Sequence, residues 1–429
     1  MQTLEPSPSP DPVESHQSSN SRFVKFCPRL PLELWDKTID ETLSASDPWD
    51  HRQHILRQLS LVCRAWLPRS RYWLFKRIEL ASHDYATRFE RLLAENPSIG
   101  RNVQQLSMCI MYPFQLQSQE EPRSWTGVIQ AITRRLPNMT AFELSPGHIV
   151  HLSPLRHSNI RELRLRHAKF HSLKSLRSCL QSMPNLEQLE LSMAEYGGAE
   201  DGTDDETDVL QSDESTASGL SIVPHLTCLK VTAASPLLAI EVIDMLTQRP
   251  TPPIRELELG HLPDQCLQTN LDWFRNIAPN IEHLRVALSA DSDHRDIESF
   301  FSFHRCRQLR SLALRVNRQR PQHAFSLECL LLSQITSNNM EKLHLDIFLC
   351  GLIDRPSGAP HWQTFVDVLK SSKFARLEKL HLGFHLVVFR PGLVRSMLGH
   401  ISSEFLDEVR SAFPEFVSKG ILHVTRVRR

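Results

Sequence analysis

Histidine, cysteine and acidic side chains are the residues of this chain that could bind a metal or catalyse a reaction. The sequence contains 21 histidines and 9 cysteines. The cysteines stand far apart with no Cys-x-x-Cys pair, and no histidine and cysteine have the spacing of zinc ligands. We therefore expect no metal site, and an odd set of dispersed cysteines is typical of free thiols in a reducing compartment.

Motifs of known catalytic chemistry are missing. The chain has only 14 glycines and lacks both the Gly-x-x-x-x-Gly-Lys phosphate loop and the Gly-x-Ser-x-Gly turn. The run His294-Arg295-Asp296-Ile297 has the residue order of a phosphoryl-transfer base, but the glycine-rich loop and metal-binding residues of that chemistry are absent. We therefore expect that the protein is not an enzyme and that it uses no cofactor. A hydrolase or transferase stays an alternative if a pocket brings histidine and carboxylate groups together.

Composition excludes several other classes of function. Lys plus Arg and Asp plus Glu are 49 each, so no field of one sign is available to attract nucleic acid. No apolar run is long enough to cross a bilayer, and the N-terminus lacks a basic-then-apolar signal. We expect a soluble protein of the cytoplasm and/or nucleus that binds neither nucleic acid nor membranes.

The segment from Leu56 to Pro68 is predicted to be a helix with two apolar sides. One face carries apolar residues three and four apart: Ile55, Leu59, Val62 and Trp66. Leu61 and Ala65 lie off this face, and a helix with two apolar sides usually packs against two partners. Pro68 should end this helix, because its ring clashes with the preceding turn, and it can begin the next one. By periodicity alone, however, such a helix is ordinary core.

A second helix is predicted just upstream. Pro31 suits its first turn, and an apolar stripe follows at Leu32, Trp35, Ile39 and Leu43. A polar stretch at residues 44–51 separates the two helices. Three short helices in about fifty residues are too few to bury a full core alone.

The apolar pattern from Pro28 to about Leu80 resembles an F-box. The matching residues are Leu30-Pro31-x-Glu33-Leu34, then Leu56-x-x-Leu59-x-Leu61-Val62-Cys63-x-x-Trp66, then Leu74-Phe75 and the strand Ile78-Glu79-Leu80. The pattern is similar to the form that opens many fungal F-box proteins. This resemblance implies three helices that bind the Skp-type adaptor and cullin complex of an SCF ubiquitin ligase. The residues assigned to helix packing and to this adaptor interface are Leu30, Pro31, Leu34, Leu59, Val62, Cys63 and Trp66.

A strand pattern of the form L-x-x-L-x-L recurs from Val103 onward. Its ten copies are Val103–Met108, Met139–Leu144, Ile160–Leu165, Leu186–Leu191, Leu226–Val231, Ile254–Leu259, Ile281–Val286, Leu309–Leu314, Met340–Leu345 and Leu377–Leu382. Helical stretches lie between several copies, for example Leu173-Leu176-Leu180, Ile240-Ile243-Leu246 and Phe365-Val366-Leu369. Residues 421–424 are predicted to form a last strand that closes the stack.

This strand–helix unit resembles a leucine-rich repeat. One unit cannot bury both its strand and its helix, but a stack of units forms a continuous core. We expect an α/β solenoid with parallel strands on its concave side and helices on its convex side. The Asn or Cys that usually follows the last core leucine is missing, so the repeats are irregular, and ordinary α/β strands are the alternative.

Alternation along each strand predicts which side chains face a partner. In L-x-x-L-x-L, the residue between the last two core positions points away from the core. The target-binding residues predicted from these positions and from those two residues further on are Arg164, Glu190, Lys230, Glu258, Arg285, Arg315, His344 and His381. Mixed charges and histidines suit a polar protein partner, and they equally suit a solvated sheet.

The predicted organisation has three parts. Residues 1–24 form a disordered tail, residues 25–80 the F-box, and residues 81–429 the repeat domain with a disordered acidic insert at residues 194–218. We expect the substrate-recognition subunit of an SCF-type ubiquitin ligase. The alternative is a repeat scaffold without a ubiquitin-ligase role, whose N-terminal helices only cap the solenoid. The target protein, its phosphorylation and the role of the insert stay open.

Overall fold

The structure is a computed structural model. It describes residues 31–43, 49–109, 122–145, 159–170, 173–192, 195–196, 223–232, 236–247, 251–260, 271–289, 297, 300–317, 326–350, 362–388, 397–398 and 403–426. The predicted tail and Leu30 lie outside these residues. Of the acidic insert, only Glu195–Tyr196 is described, as a short strand.

The helices and strands follow in chain order. The helices are α1 Leu32–Thr42, α2 Trp49–Val62, α3 Leu67–Lys76, α4 His83–Glu95, α5 Pro97–Gly100, α6 Pro122–Arg134, α7 Leu173–Gln181, α8 Pro236–Thr247, α9 Leu271–Ile277, α10 Ser326–Ser333, α11 Trp362–Leu369, α12 Ser403–Ala412 and α13 Pro414–Ser418. The strands are β1 Arg77–Leu80, β2 Gln105–Cys109, β3 Ala141–Ser145, β4 Glu162–Arg166, β5 Lys169–Phe170, β6 Gln188–Ser192, β7 Glu195–Tyr196, β8 Cys228–Thr232, β9 Glu256–Leu259, β10 His283–Ser289, β11 Ser311–Asn317, β12 Lys342–Cys350, β13 Lys379–Val388, β14 Met397–Leu398 and β15 Leu422–Arg426. Contacts divide the chain into two units, Met1–Leu74 and Phe75–Arg429.

The first unit is a small helical module. Ile39, Leu43 and Leu56 are its buried core. Partly buried apolar side chains pack around this core: Ile55, Leu59, Trp66, Trp73 and Leu74. The predicted apolar stripes of α1 and α2 therefore face each other across one core.

The course of the chain between α2 and α3 differs from the prediction. The predicted helix continues to Pro68, whereas α2 ends at Val62 and Pro68 lies in the first turn of α3. In a continued helix, the ring of Pro68 would clash with the carbonyl four residues before it, that of Arg64. The break therefore falls one turn before the proline. The polar connection at residues 44–51 is also shorter than predicted, because α2 already begins at Trp49.

The second unit is built on one large sheet. Thirteen strands form it, twelve of them in the order β1-β2-β3-β4-β6-β8-β9-β10-β11-β12-β13-β14, and β15 also pairs with β13. Among the described strands of this sheet, only β13 and β14 pair in an antiparallel way. A separate pair of short parallel strands joins β5 to β7. The parallel stack and its last strand β15 confirm the predicted α/β repeat architecture.

The repeats stack in one constant register. The second leucine position of all ten copies is aligned from strand to strand, as in the pairs Leu163–Leu189, Leu229–Leu257 and Leu312–Leu343. The alternate residues of these strands form the buried face against the helices, and one apolar cluster runs from Leu80 to Phe416. The helices predicted between copies are present as α7, α8 and α11. The second unit is therefore a solenoid of strand–helix repeats with one polar sheet face.

Candidate functional site

Among the described residues of the first unit, three large apolar side chains are exposed. Leu34 is 48% exposed, Leu61 80% and Val62 60%. The rings of Trp35 and Trp66 lie 5.3 Å apart, which brings the first turn of α1 next to the turn that follows α2. We call Leu34, Leu61 and Val62 the apolar patch.

The structure separates the roles of the predicted adaptor residues. Leu59 and Trp66 pack on the buried core, and Cys63 is half-buried. Pro31 is exposed directly before α1, and Leu34 and Val62 belong to the apolar patch. Leu61 is absent from the predicted set, although its position off the main apolar face was the signal that could have included it.

One carboxylate ties α1 to α3. Asp40 accepts hydrogen bonds from Arg69 Nε at 2.9 Å, from Arg69 Nη2 at 2.5 Å and from Trp73 Nε1 at 2.7 Å. The hydrogen bond with Asp40 is the largest of the effects that raise the pKa of Arg69. The guanidinium also lies 5.2 Å from the ring centre of Tyr72. This network fixes the helix that carries Leu34 against α3.

A continuous row of polar positions crosses the sheet of the second unit. Cross-strand register aligns one residue per strand into this central row: Glu143, Arg164, Glu190, Lys230, Glu258, Arg285, Ala313, His344, His381 and His423. The signs of charge alternate from Glu143 to Arg285, and three histidines end the row. All the predicted target-binding residues except Arg315 lie in this row. Arg315 is half-buried and lies beside Asp346, two positions further along the strands.

Ion pairs connect neighbouring strands in the first half of the polar face. Arg166 Nη1 lies 3.1 Å from Glu143 Oε1, and its Nε donates to Glu190 Oε1 at 2.9 Å. This hydrogen bond to Glu190 raises the pKa of Arg166. Arg164 also contacts Glu190, at 3.7 Å. One carboxylate thus holds guanidinium groups of the neighbouring strand.

Two further pairs continue this pattern. Lys230 Nζ lies 3.0 Å from Glu256 Oε1, and Arg285 Nη1 lies 3.2 Å from Glu258 Oε2. Partial burial would lower the pKa of Lys230, but the hydrogen bond and charge of Glu256 outweigh it and raise that pKa. For the same reason the pKa of Glu256 is lowered despite its burial. Both groups are therefore charged at neutral pH.

Histidines and one aspartate meet on β12, β13 and β15. His344 Nε2 lies 3.0 Å from Asp346 Oδ1 and 3.0 Å from His381 Nδ1, and His381 Nε2 lies 2.7 Å from Thr425 Oγ1. His385, which is 2% exposed, lies 3.4 Å from the same oxygen of Asp346. Burial opposes the shift, but hydrogen bonding and charge from His344 lower the pKa of Asp346. Within the described part of the chain, no group of three or more His, Cys, Asp or Glu residues is arranged to hold a metal ion.

The described thiols are free, and several are buried. Six cysteines carry no disulfide: Cys63, Cys109, Cys179, Cys228, Cys306 and Cys329. Burial raises the pKa of Cys179 and of Cys306 to about 12. Such thiols stay protonated at neutral pH and are poor nucleophiles and metal ligands.

A wide polar depression lies where β3, β4, β6 and β8 begin. Its lining includes a histidine and a carboxylate, His225 and Glu187. Glu187 pairs with Arg161 at 3.3 Å, and Thr140 Oγ1 donates to the carbonyl of Gln104 at 3.3 Å. Among the described contacts none joins His225 to either group. The depression therefore lacks the base–nucleophile hydrogen bond that a hydrolase site would show.

No family model and no curated protein matches the sequence. Several solved structures match the chain at low identity. Internalin C2 from Listeria monocytogenes is 12% identical, with a TM-score of 0.28 over 67% of this chain and 83% of that one. Internalin InlF from the same bacterium is 13% identical, with a TM-score of 0.34 over 68% of this chain and 64% of that one.

A third similar structure is the yeast complex of Rad7 and Elc1. It is 14% identical, with a TM-score of 0.35 over 88% of this chain and 93% of that one. None of the helices that the structure describes combines the length and apolar composition that crossing a membrane would need. Likenesses at such TM-scores assign no partner and no activity to this chain, which is an α/β solenoid protein preceded by a small helical unit.

Proposed function

We propose that this chain is the substrate-recognition subunit of an SCF-type ubiquitin ligase. Its first unit acts as an F-box that binds the Skp-type adaptor, and the polar face of its second unit holds a target protein. One observation carries this proposal: Leu61 and Val62 are exposed on the same short helix whose Leu56 is 1% exposed. Leu61 and Val62 are adjacent in sequence, and exposed apolar side chains that adjoin each other suit a protein interface.

The proposed mechanism needs no catalytic group in this chain. The ligase would gain rate because the adaptor and the target are held on one molecule, which raises the effective concentration of the target near the conjugating enzyme. The polar face suits the holding role, because one row of side chains outside the core crosses the sheet from β3 to β15. A complex of this kind acts in the cytoplasm or nucleus.

The alternative is a scaffold whose N-terminal helices only cap the solenoid. A cap exists to bury apolar surface at an open repeat end. Leu61 and Val62 lie outside the core of the first unit itself, at 80% and 60% exposed. Adaptor capture separates the two roles, because helices that only cap the solenoid would bind no adaptor.

The test is capture of purified Skp-type adaptor by the full-length chain. Leu61→Asp combined with Val62→Asp should weaken capture by about thirtyfold or more, because a central interface side chain contributes about 2 kcal/mol or more. Val417→Asp is the matched control, since Val417 is an apolar residue of the second unit that is 46% exposed. Circular dichroism should show that all variants are folded.

Two outcomes would contradict the proposal. One is full capture by the folded double variant, which would remove the apolar patch from the interface. The other is the absence of capture by the folded parent chain, which would leave the scaffold. Equal loss in Val417→Asp would show that the assay does not depend on the first unit.

A further inference from the structure

The polar face changes its charge pattern between β10 and β12. From β3 to β10 it carries four cations, and each pairs with a carboxylate of the same face: Arg164, Arg166, Lys230 and Arg285. On β12 and β13, Lys342 and Lys379 are both exposed and lie directly opposite each other in register. Among the described residues, neither lysine has an ion-pair partner. Like charges opposite each other destabilise a sheet, so an anion placed between them would be stabilising.

Imidazoles extend this surface along the same strands. His344, His381 and His423 lie side by side, two residues further along than the lysines. We call Lys342, Lys379, His344, His381 and His423 the cationic sector. Asp346 is the only carboxylate on the described polar face of β12, β13 and β15, and it is already engaged by His344 at 3.0 Å and His385 at 3.4 Å. Apart from His344, the members of the sector therefore offer donors and positive charge that Asp346 does not use.

We propose that the cationic sector binds an acidic peptide segment of the target protein. The two lysines pair with carboxylates or phosphates of that segment, and the row of histidines contacts it alongside them. This inference deepens the proposed function, and it rests on that function for the role of the polar face as the target site. It places the specific contact at the C-terminal end of the row rather than at the self-paired charges of β3 to β10.

Binding of such a segment should depend on pH. The groups that face His381 are His344 and Asp346 on β12, Lys379 and His385 on its own strand, and His423 and Thr425 on β15. Burial and the charge of His344 lower the pKa of His381, and Asp346 only partly opposes them. His381 is therefore neutral at neutral pH, and an anion bound beside it would raise its pKa. Affinity should then rise as the pH falls, by up to about tenfold per pH unit for one proton taken up.

The experiment measures binding of a labelled oligoglutamate peptide to the full-length chain by fluorescence anisotropy. Lys342→Glu combined with Lys379→Glu should weaken binding by about tenfold or more, because two attractive charges become repulsive. The matched control is Arg305→Glu combined with Arg307→Glu, two exposed cations in the turn before β11. A phosphoserine peptide of equal length distinguishes phosphate from carboxylate as the bound group. Tighter binding of this peptide would show a preference for phosphate, and equal binding would show that the sector recognises negative charge in general.

The pH series runs from about pH 7.5 to about pH 5.5, where histidine titrates. The parent should bind more tightly at the lower pH, and His381→Gln should lose that gain. Equal weakening by both lysine and arginine pairs, no binding of either acidic peptide, or an unchanged pH profile in His381→Gln would each overturn the inference. Adaptor capture is measured on the same preparations. A chain that captures the adaptor but ignores both peptides would refute only the cationic sector.

Discussion

Asp40 illustrates how single polar residues position the apolar patch. Its carboxylate accepts hydrogen bonds from two side chains of α3, Arg69 and Trp73. Glu41, its neighbour on α1, instead forms an exposed pair with Lys37 at 3.7 Å. The two acids thus differ in environment although they are adjacent in sequence.

We predict that Asp40→Asn lowers the free energy of unfolding by about 1 kcal/mol. Charge-assisted hydrogen bonds contribute more to the free energy of unfolding than neutral ones do, and the partial exposure of Asp40 and Arg69 reduces this contribution. Urea denaturation followed by tryptophan fluorescence would measure the change. Glu41→Gln is the control and should change stability by less than about 0.5 kcal/mol. Equal effects of the two substitutions would show that the Asp40 network contributes nothing beyond a surface pair.

The sequence predicted the polar residues of the sheet better than their contacts. Strict alternation in L-x-x-L-x-L was enough to place seven of the residues that we propose to bind a target in one row, because side chains reverse at each strand residue. The pairing of Arg166 with Glu143 and Glu190 joins residues that are 23 and 24 positions apart in the sequence, and no local pattern encodes it. The exposure of Leu61 likewise depends on where α2 ends, which the periodicity of a stretch with two apolar sides does not specify.

Two glycines on consecutive helices differ in how much room they leave for a side chain. Gly100 ends α5, and a Cβ built on it would overlap the carbonyl oxygen of Arg135. Gly127 lies within α6, is exposed, and a Cβ there would meet no atom. The first glycine permits a close approach of two segments, whereas the second only lowers the stability of its helix.

We expect Gly100→Ala to destabilise the second unit by about 1–3 kcal/mol, since backbone must shift to admit the methyl group. Gly127→Ala should stabilise it by about 0.5–1 kcal/mol, because alanine loses less entropy in a helix. Thermal unfolding of both variants beside the parent would test this pair. A stabilising Gly100→Ala would mean that α5 and the segment after α6 do not lie as close as the structure shows.

Helix boundaries were harder to predict than helix existence. Pro68 was correctly identified as a breaker, but α2 already ends at Val62, because a helix continued to Pro68 would set the proline ring against the carbonyl of Arg64. The strands begin about two residues inside each predicted copy, as β4 does at Glu162, because the first apolar residue enters the core from the preceding turn. Boundaries depend on hydrogen bonds with the neighbouring repeat, which is distant in sequence.

At the scale of the whole molecule, the charge of the central row alternates in sign from one repeat to the next. Glu190, Lys230, Glu258 and Arg285 follow one another in register, so removing or adding one repeat would set two like charges opposite each other. Only the insertion or deletion of an even number of repeats keeps opposite charges next to each other. Growth of this surface by duplication is therefore favoured in steps of two repeats.

Duplication of residues 256–282 in the full-length chain would test whether the alternation of charge contributes to stability. It places a second copy of Glu258 beside the first, and like charges in direct opposition cost up to about 1 kcal/mol. The same duplication with alanine in the new copy of that position should unfold at a higher urea concentration. Identical urea midpoints for the two duplicated chains would mean that the alternation of charge does not affect stability and that single repeats can be added without cost.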